Sequence, residues 1–434
     1  MRGEREPRRF LLLTSDRAEP FDLLAGDPGV EPLVITKAAH AGRYREAAAV
    51  ETVADLADVT AVRDAAARLA GDGLHAVAAA NERAQLSAAF VRSYHGVQGM
   101  PFDTAVAFTR KDVMKRTIVA AGLPHVPFRT IGGLGRLPEA AKELGWPVVV
   151  KPAVGAGARD VVRLEEDTPP PESLARLPAP LVVERYAEID RELHCDGVVH
   201  DGKVVFASVS QYFQGVLSVG NRFLGSFTLP EADPAAALTR SLHEAAVAAL
   251  GMRAGVTHME AFATGGELLF SEIACRPGGG GVVQAIRDRH GVDLWRAFVS
   301  TALGDDPAPR PADGGGVTGW IGLPGRNGVV REISDAAALA AVPGVTHLTM
   351  HHRPGQRVAA RPSSVFYAGL ALFRVDTPRE AYGVQRELAR RYVLETEPDT
   401  GPDTGPDTGP DTGPDTGPDT GPGTGPETRR ETGA

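Results

Sequence analysis

Glu260 and Glu272 flank a Gly-Gly turn in the run 257–281, THMEAFATGGELLFSEIACRPGGGG. The run reads as two alternating strands joined at Thr264, Gly265 and Gly266, with a glycine-rich exit. Strand side chains repeat every two residues. Val256, His258, Glu260 and Phe262 are therefore expected on one face of the first strand, and Leu268, Phe270, Glu272 and Ala274 on one face of the second. With an even register sum, Glu260 sits opposite Glu272. Opposed side chains lie about 5 Å apart, and like charges there repel. Two such carboxylates on a largely apolar hairpin call for a cation between them. Oxygen ligands alone suit Mg²⁺ better than zinc. Arg276 and four glycines follow, an arrangement suited to a metal-bound polyphosphate with an arginine on its anionic end. The alternative is an exposed edge hairpin whose glutamates face water.

Two lysines carry the complementary charge. An apolar strand at 148–150 runs into Lys151, then Gly155-Ala156-Gly157-Ala158, then a returning strand at 161–164. Glycines let backbone N–H groups approach and cradle phosphates, and a lysine at the strand end can neutralise them. This is not a Walker A loop, because GK[ST] is missing and a strand follows. A plain hairpin with a snorkelling lysine is the bland reading. Lys111 falls in the first turn of a helix expected over 109–122, with Thr109 as N-cap, Asp112 three residues on, and Gly122 and Pro124 as stops. A cation there opposes the helix dipole and hints at an anionic ligand, against the simpler reading of a solvated surface lysine.

The elements that must position these residues follow in order. Strands at 10–14, 33–36 and 75–80 alternate with helices at Val59–Ala70 and 85–94, which argues for a Rossmann-like N-terminal domain. Asn81 and Glu82 end its third strand, where open α/β sheets bind ligands. No GxGxxG follows the first strand, so NAD is not expected. Residues 168–180 read as a proline-rich linker, and a strand at 181–183 leads into Glu184, Arg185 and Tyr186. A hairpin spans 191–199 and 203–210 across His200-Asp201-Gly202. Its Glu192, His194 and Asp196 share one face, read for His194 and Asp196 as solvent-facing. Residues 211–230 show no period and suit a substrate loop. Helices are expected at Pro234–Leu250 and 282–303, the second starting after the glycines as a ready anion site. Residues 316–396 read as a smaller α+β unit with strands at 317–323 and Tyr367–Val375. A helix there opens on the Thr377-Pro378-Arg379-Glu380 capping box.

The chain has 434 residues, enough for two or three domains. Its two cysteines, Cys195 and Cys275, exclude a disulfide framework and fit a reducing cytoplasm. No His/Cys cluster has zinc spacing. The apolar run near the start is too short for a membrane span. Of the net charge of −9, residues 398–434 hold six Asp and two Glu against two Arg, so −6 is in the tail and −3 in the body. No basic patch suggests nucleic acid. The PDTG repeat from Pro398 has nothing to bury and is expected to be disordered.

In order, these pieces resemble the ATP-grasp superfamily, and within it the carboxylate–amine ligases that include L-amino-acid ligases. The match runs over roughly 75–395. The resemblance implies a Rossmann-like domain (1–108), an ATP-grasp fold (109–308, central lid about 123–186), a small C-terminal α+β unit (309–397) that helps to cover the substrate site, and the tail (398–434). It implies ATP and Mg²⁺, with Mn²⁺ as substitute, an acid and an amine as small-molecule partners, and a homodimer. Lys111 and Lys151 would contact the α- and β-phosphates, and Gly155, Ala156 and Gly157 would close over them. The backbone of Arg185 and Tyr186 would bind adenine beside Glu184, and Glu192 the ribose. Glu260 and Glu272 would hold Mg²⁺, and Arg276 would meet the γ-phosphate and acyl phosphate. Many members have Asn two residues after the second glutamate. Here Ala274 stands there, as in some peptide-forming ligases. The expected activity is ADP-forming amide synthesis through an acyl phosphate. The competing readings are a biotin-carboxylase-like or nucleotide-precursor ligase and a non-catalytic ATP-binding protein. His258, His351 and His352 are candidates for the base acting on the amine. Cys275 points away from Glu272 by strand parity and is not expected to be a nucleophile.

Overall fold

The computed structural model describes residues 6–155, 157–218, 223–312, 314–359 and 366–398. Ala156 of the glycine loop and the tail beyond residue 398 lie outside the described residues, as does the middle of the 211–230 segment.

The chain opens with a parallel sheet of β1 (Arg8–Leu13), β2 (Val30–Thr36), β3 (Ala49–Thr52) and β4 (Ala76–Ala79), in the order β3-β2-β1-β4. Parallel strands covered on both faces need near-continuous apolar runs. Phe10, Leu11, Leu12 and Leu13 are accordingly buried without exception. The helix Val59–Ala70 starts where Asp58 accepts hydrogen bonds from the Thr60 and Ala61 N–H groups. Its Val62, Ala66 and Leu69 face the sheet core.

A second sheet is antiparallel: β5 (Phe128–Ile131), β6 (Val148–Pro152), β7 (Val162–Leu164) and β8 (Leu181–Arg185), in the order β5-β8-β6-β7. It has its own core of Val148, Val150, Leu164, Leu181 and Val183. The proline-rich segment beside it is not all linker, since Glu172–Ala175 forms a helical turn that buries Leu174.

The third sheet dominates. It contains β9 (Arg191–His200), β10 (Lys203–Tyr212), β11 (Gly225–Thr228), β12 (Gly255–Thr264), β13 (Glu267–Ala274), β14 (Val317–Pro324), and later β16 (Val345–Met350) and β18 (Tyr367–Val375). The order is β13-β12-β9-β10-β11-β14-β18-β16. The remaining strands β15 (Gly328–Ile333), β17 (Arg357–Val358) and β19 (Leu394–Glu397) make a small sheet in the order β17-β15-β19. The C-terminal strands β14, β16 and β18 thus continue the sheet begun by the central region, through the β11–β14 pairing. One face of this sheet packs on Pro234–Leu250 and Lys111–Ala120. The other packs on the helices after residue 281 and on the first sheet.

The mixed α/β and α+β organisation agrees with the sequence reading, and four further local expectations do not. Thr109 ends the helix Phe102–Thr109 and does not cap the next one. Arg110 is the N-cap of Lys111–Ala120, without a side-chain cap. The long helix expected over 282–303 is two, Val282–His290 and Leu294–Ala302, broken at left-handed Gly291 and restarted by the Asp293 cap. Residues 211–230 hold the strand β11, where a loop was expected. The polar face of β9 does not meet solvent: His194 and Asp196 are fully buried. The glycine turn lies directly over them, and a Cβ on Gly278 would stand 2.8 Å from Asp196 Oδ1.

Glycines of the large sheet are close-approach positions. A Cβ on Gly319 would stand 2.4 Å from the Ser226 carbonyl and from the Phe373 ring, whereas one on Gly383, inside the helix Pro378–Arg391, would meet nothing. Gly319→Ala is expected to destabilise by about 1–3 kcal/mol through overpacking. Gly383→Ala is expected to stabilise by about 0.5–1 kcal/mol through backbone entropy. Thermal unfolding midpoints that move in the same direction for both would contradict this packing.

Candidate active site

The hairpin β12–β13 is built to bring its glutamates together. Gly265 and Gly266 both have positive φ, the backbone of a two-residue turn. From that turn the ladder pairs Thr264 with Glu267 and Ala261 with Phe270, a register that would set Glu260 against Ser271. A bulge at Ser271 adds one residue to β13, and beyond it Glu260 pairs directly with Glu272. The same bulge corrects the expected faces. Leu268 and Phe270 pack into the core with Ala261, while Glu272 and Ala274 line a cavity with His258, Glu260 and Phe262. Cys275 lies on the core side, buried, and burial raises its thiol pKa. That placement fits an inert thiol.

The cavity, about 240 Å³, lies between the second sheet, the large sheet and the glycine turn. Lys111, Lys151, Gly155, Gly157, Glu184, Arg185, Tyr186, Glu192, Glu260, Glu272 and Arg276 all line it. The Lys111 ammonium lies 2.9 Å from Glu272 and donates to the Gly155 carbonyl at 2.7 Å. Lys151 lies 3.0 Å from Glu184 and 3.9 Å from Glu272. The two lysines therefore come from a helix start and a strand end onto one carboxylate.

Sequence reading missed a third lysine. Lys115, one helical turn after Lys111, is almost fully buried, 2.7 Å from Glu184 and donating to the Ser271 carbonyl at 2.9 Å. Its spacing of four from Lys111 was the available signal. Burial alone pushes the Glu184 carboxyl up, but Lys115 and Lys151 outweigh burial and hold it at about 2. Burial likewise lowers Lys151, and the carboxylates of Glu184 and Glu272 outweigh it.

Glu192 is buried and accepts the Val216 N–H at 2.7 Å. Burial, and then the charge of Glu260, pushes its carboxyl up. Glu260 accepts the Tyr212 hydroxyl at 3.1 Å and lies 3.6 Å from His258 Nε2. His258 and His194 both bond Asp196, at 2.8 and 2.6 Å, and His194 reaches Ser226. His194, Asp196 and His258 have their ligand atoms within 4.8 Å of one another, a grouping the sequence did not suggest. Both oxygens of Asp196 accept from the two rings, so the three satisfy each other without a metal. His351 and His352, the other candidates for a base, do not line the cavity.

At the hinge, the Arg185 N–H donates to Pro127 and the Tyr186 N–H to Pro147, each at 3.0 Å. Contacts from these two residues to a base would therefore use their carbonyls. The Arg163 guanidinium stacks on the Tyr186 ring at 4.0 Å. At the other end Arg276 lies 2.9 Å from Glu82, which reaches in from the end of β4.

Oxygen donors, opposed like charges and adjacent ammonium groups fit a divalent cation carrying a polyphosphate. The ATP-grasp domain family matches residues 116–287, and the L-amino acid ligase C-terminal domain 2 family matches residues 321–397. The chain thus carries a stretch similar to the ATP-grasp domain and, after it, one similar to the L-amino acid ligase C-terminal domain. It is 28% identical over 407 residues to an L-arginine-specific L-amino acid ligase of Bacillus subtilis, covering 90% of this chain and 98% of that one. The crystal structure of L-amino acid ligase from Bacillus licheniformis superposes with a TM-score of 0.74 at 19% identity, over 91% of this chain and all of that one. N5-carboxyaminoimidazole ribonucleotide synthetase from Thermotoga maritima follows with a TM-score of 0.67 at 16% identity, over 90% of this chain and all of that one. The ATP-grasp fold is thus shared with nucleotide-precursor enzymes. The near full-length sequence match and the matched C-terminal domain favour the amino-acid ligase branch over them. Among the described residues, no helix is long and apolar enough to cross a membrane.

The Glu184 carboxyl has its pKa held below the ordinary 4.5. Its stabilisation is therefore present above that pH and lost as pH falls towards about 2. The loss is expected to reach about 3 kcal/mol at most across that window. Urea midpoints at pH 5 and pH 3 measure it. Glu184→Gln should be less stable at pH 7 and show a shallower acid limb. An acid limb as steep as that of wild type would refute the lysine–Glu184 account.

Proposed function

We propose that this ATP-grasp ligase activates a carboxylic acid with ATP and passes the acyl group to an amine, probing first for amino acids in both roles. The observation that carries the reading is the convergence of Lys111, Lys151, Glu260, Glu272 and Arg276 on one cavity. In this reading Lys111 and Lys151 bind the phosphates, the 155–158 loop closes over them, and Glu184, Arg185, Tyr186 and Glu192 take the nucleoside. Glu260 and Glu272 hold Mg²⁺ or Mn²⁺, which when bound offsets polyphosphate charge. Ala274 supplies no ligand atom, so the pair of glutamates carries that task.

A carboxylate is a poor electrophile. Its oxygen attacks the γ-phosphorus, the bond to the β-phosphate oxygen breaks, and ADP leaves. The amine nitrogen then attacks the acyl carbon, phosphate leaves, and the amine proton is lost. The protein positions the two reactants, and Arg276 with the lysines offsets charge on the transferring group. His258 stands at the cavity wall with Nδ1 on Asp196 and Nε2 towards Glu260. Burial would lower it, but Asp196 outweighs burial and raises it to about 10. Asp196, and then Glu260, thus favour its protonated form.

ADP and phosphate release with Mg-ATP, measured against amino acids in pairs, tests the reading. The name of the Bacillus subtilis relative puts L-arginine in the first set. Release should depend on a particular pair and fall by at least about 100-fold in Glu272→Ala. Release that ignores the pair, or survives in Glu272→Ala, would overturn it.

A further inference from the structure

The cavity wall also carries donors that the residues described above leave unused. Trp320 of β14 and Tyr367 of β18 line it, with ring centroids 5.8 Å apart. They are only 2% and 3% exposed, yet among the described residues Trp320 Nε1 and the Tyr367 hydroxyl have no hydrogen-bond partner. Burying a polar group unpaired costs free energy, so two together, on side chains that line one cavity, point to a partner that arrives from outside.

Arg17 adds a charge. It follows β1 and, without itself lining the cavity, reaches the back of the glycine turn that does, with Nη2 3.5 Å from where a Cβ on Gly279 would be. Its guanidinium lies over the Trp295 ring at 5.9 Å and is close enough to act on the Tyr367 hydroxyl electrostatically. Its Nε is buried without a partner, and among the described residues its guanidinium makes no ion pair. The neighbouring Asp16 receives the Ser15 hydroxyl. The glycine turn is shaped to this group: a Cβ on Gly280 or Gly281 would stand 2.5 or 2.4 Å from the Trp320 side chain. The helix Val282–His290 begins there without a side-chain cap.

A guanidinium, an indole N–H and a phenol hydroxyl suit an anionic, acceptor-only group. We propose that Arg17, Trp320 and Tyr367 bind the α-carboxylate of the amino acid that supplies the amine, and so select amino acids over simple amines. The inference rests on the ligase reading. The acid being activated must lie against Arg276 and the Glu260–Glu272 pair. Arg17 stands beside Gly279, and Gly279 and Arg276 both line the cavity, so the two carboxylates have separate cationic partners.

The test takes the productive acid–amine pair and compares the amine amino acid with its carboxamide, which is neutral and brings donors of its own. Wild type should prefer the carboxylate by at least about 10-fold in kcat/KM. Arg17→Met and Tyr367→Phe should each raise KM for the amine by about 10- to 100-fold and erase that preference. KM for ATP and for the acid should stay within about twofold. Tyr367→Phe should not lower the unfolding temperature, because the hydroxyl has no partner to lose, whereas a merely structural role would lower it. Variants that raise KM for the acid, or that leave the carboxylate preference intact, overturn the proposal. ADP release by wild type with the acid alone reads the ligase reaction separately. Its presence, with an unchanged amine preference in both variants, would leave the ligase standing and remove this subsite.

Discussion

Opposed carboxylates on neighbouring strands repel, and much of this molecule is arranged around one such pair. The two-residue turn of β12–β13 would set Glu260 against Ser271. One inserted residue corrects the register and reverses which side chains of β13 face the cavity. Phe270 goes to the core, Glu272 to the site. Pairing straight through without the bulge would set Glu272 against Met259 and turn its carboxylate into the apolar core, so the fold and the site share this constraint.

The compensating cations are themselves buried, which makes the arrangement costly unless every charge has a partner. Lys111 and Lys151 rest on Glu272 and Glu184, and Lys115 braces Glu184 from below. A polyphosphate and its cation would exchange partners within this set: phosphate oxygens for Glu272 at the lysines, a metal for the lysines at Glu272. Glu184 keeps Lys115 throughout, on the strand that ends in the hinge. Lys115 is therefore better read as the residue that fixes the position of Glu184 than as a phosphate ligand.

The parts legible in sequence were those where one residue type carries one physical meaning. Continuous apolar runs gave β1 and β6, a capping box gave the last helix, and lysine and glutamate at strand and helix ends gave the cavity lining. The failures have a common cause. His194 and Asp196 alternate on a polar face, and alternation says which residues share a face but not what covers it. Here the cover is a glycine turn some eighty residues later in the chain, close enough to need no side chain. The bulge at Ser271 was equally invisible, because a bulge depends on pairing and not on composition. Lys115 drew no notice, because nothing local shows that its face of the helix is buried.

The same distinction separates chemistry from selectivity. Residues that handle phosphate and metal lie in compact motifs, because one hairpin or one loop can present them. Another part of the cavity wall comes from the glycine turn, β14 and β18, which meet only because the C-terminal strands extend the large sheet through β11. No local pattern marks Trp320 or Tyr367. What marks them is a hydrogen-bond deficit that appears only after folding, in strands that read from sequence as ordinary core. A site that recognises a varied substrate can be built this way at little cost to the reaction, since β14 and β18 can change their inward residues while the hairpin that opposes Glu260 and Glu272 stays as it is.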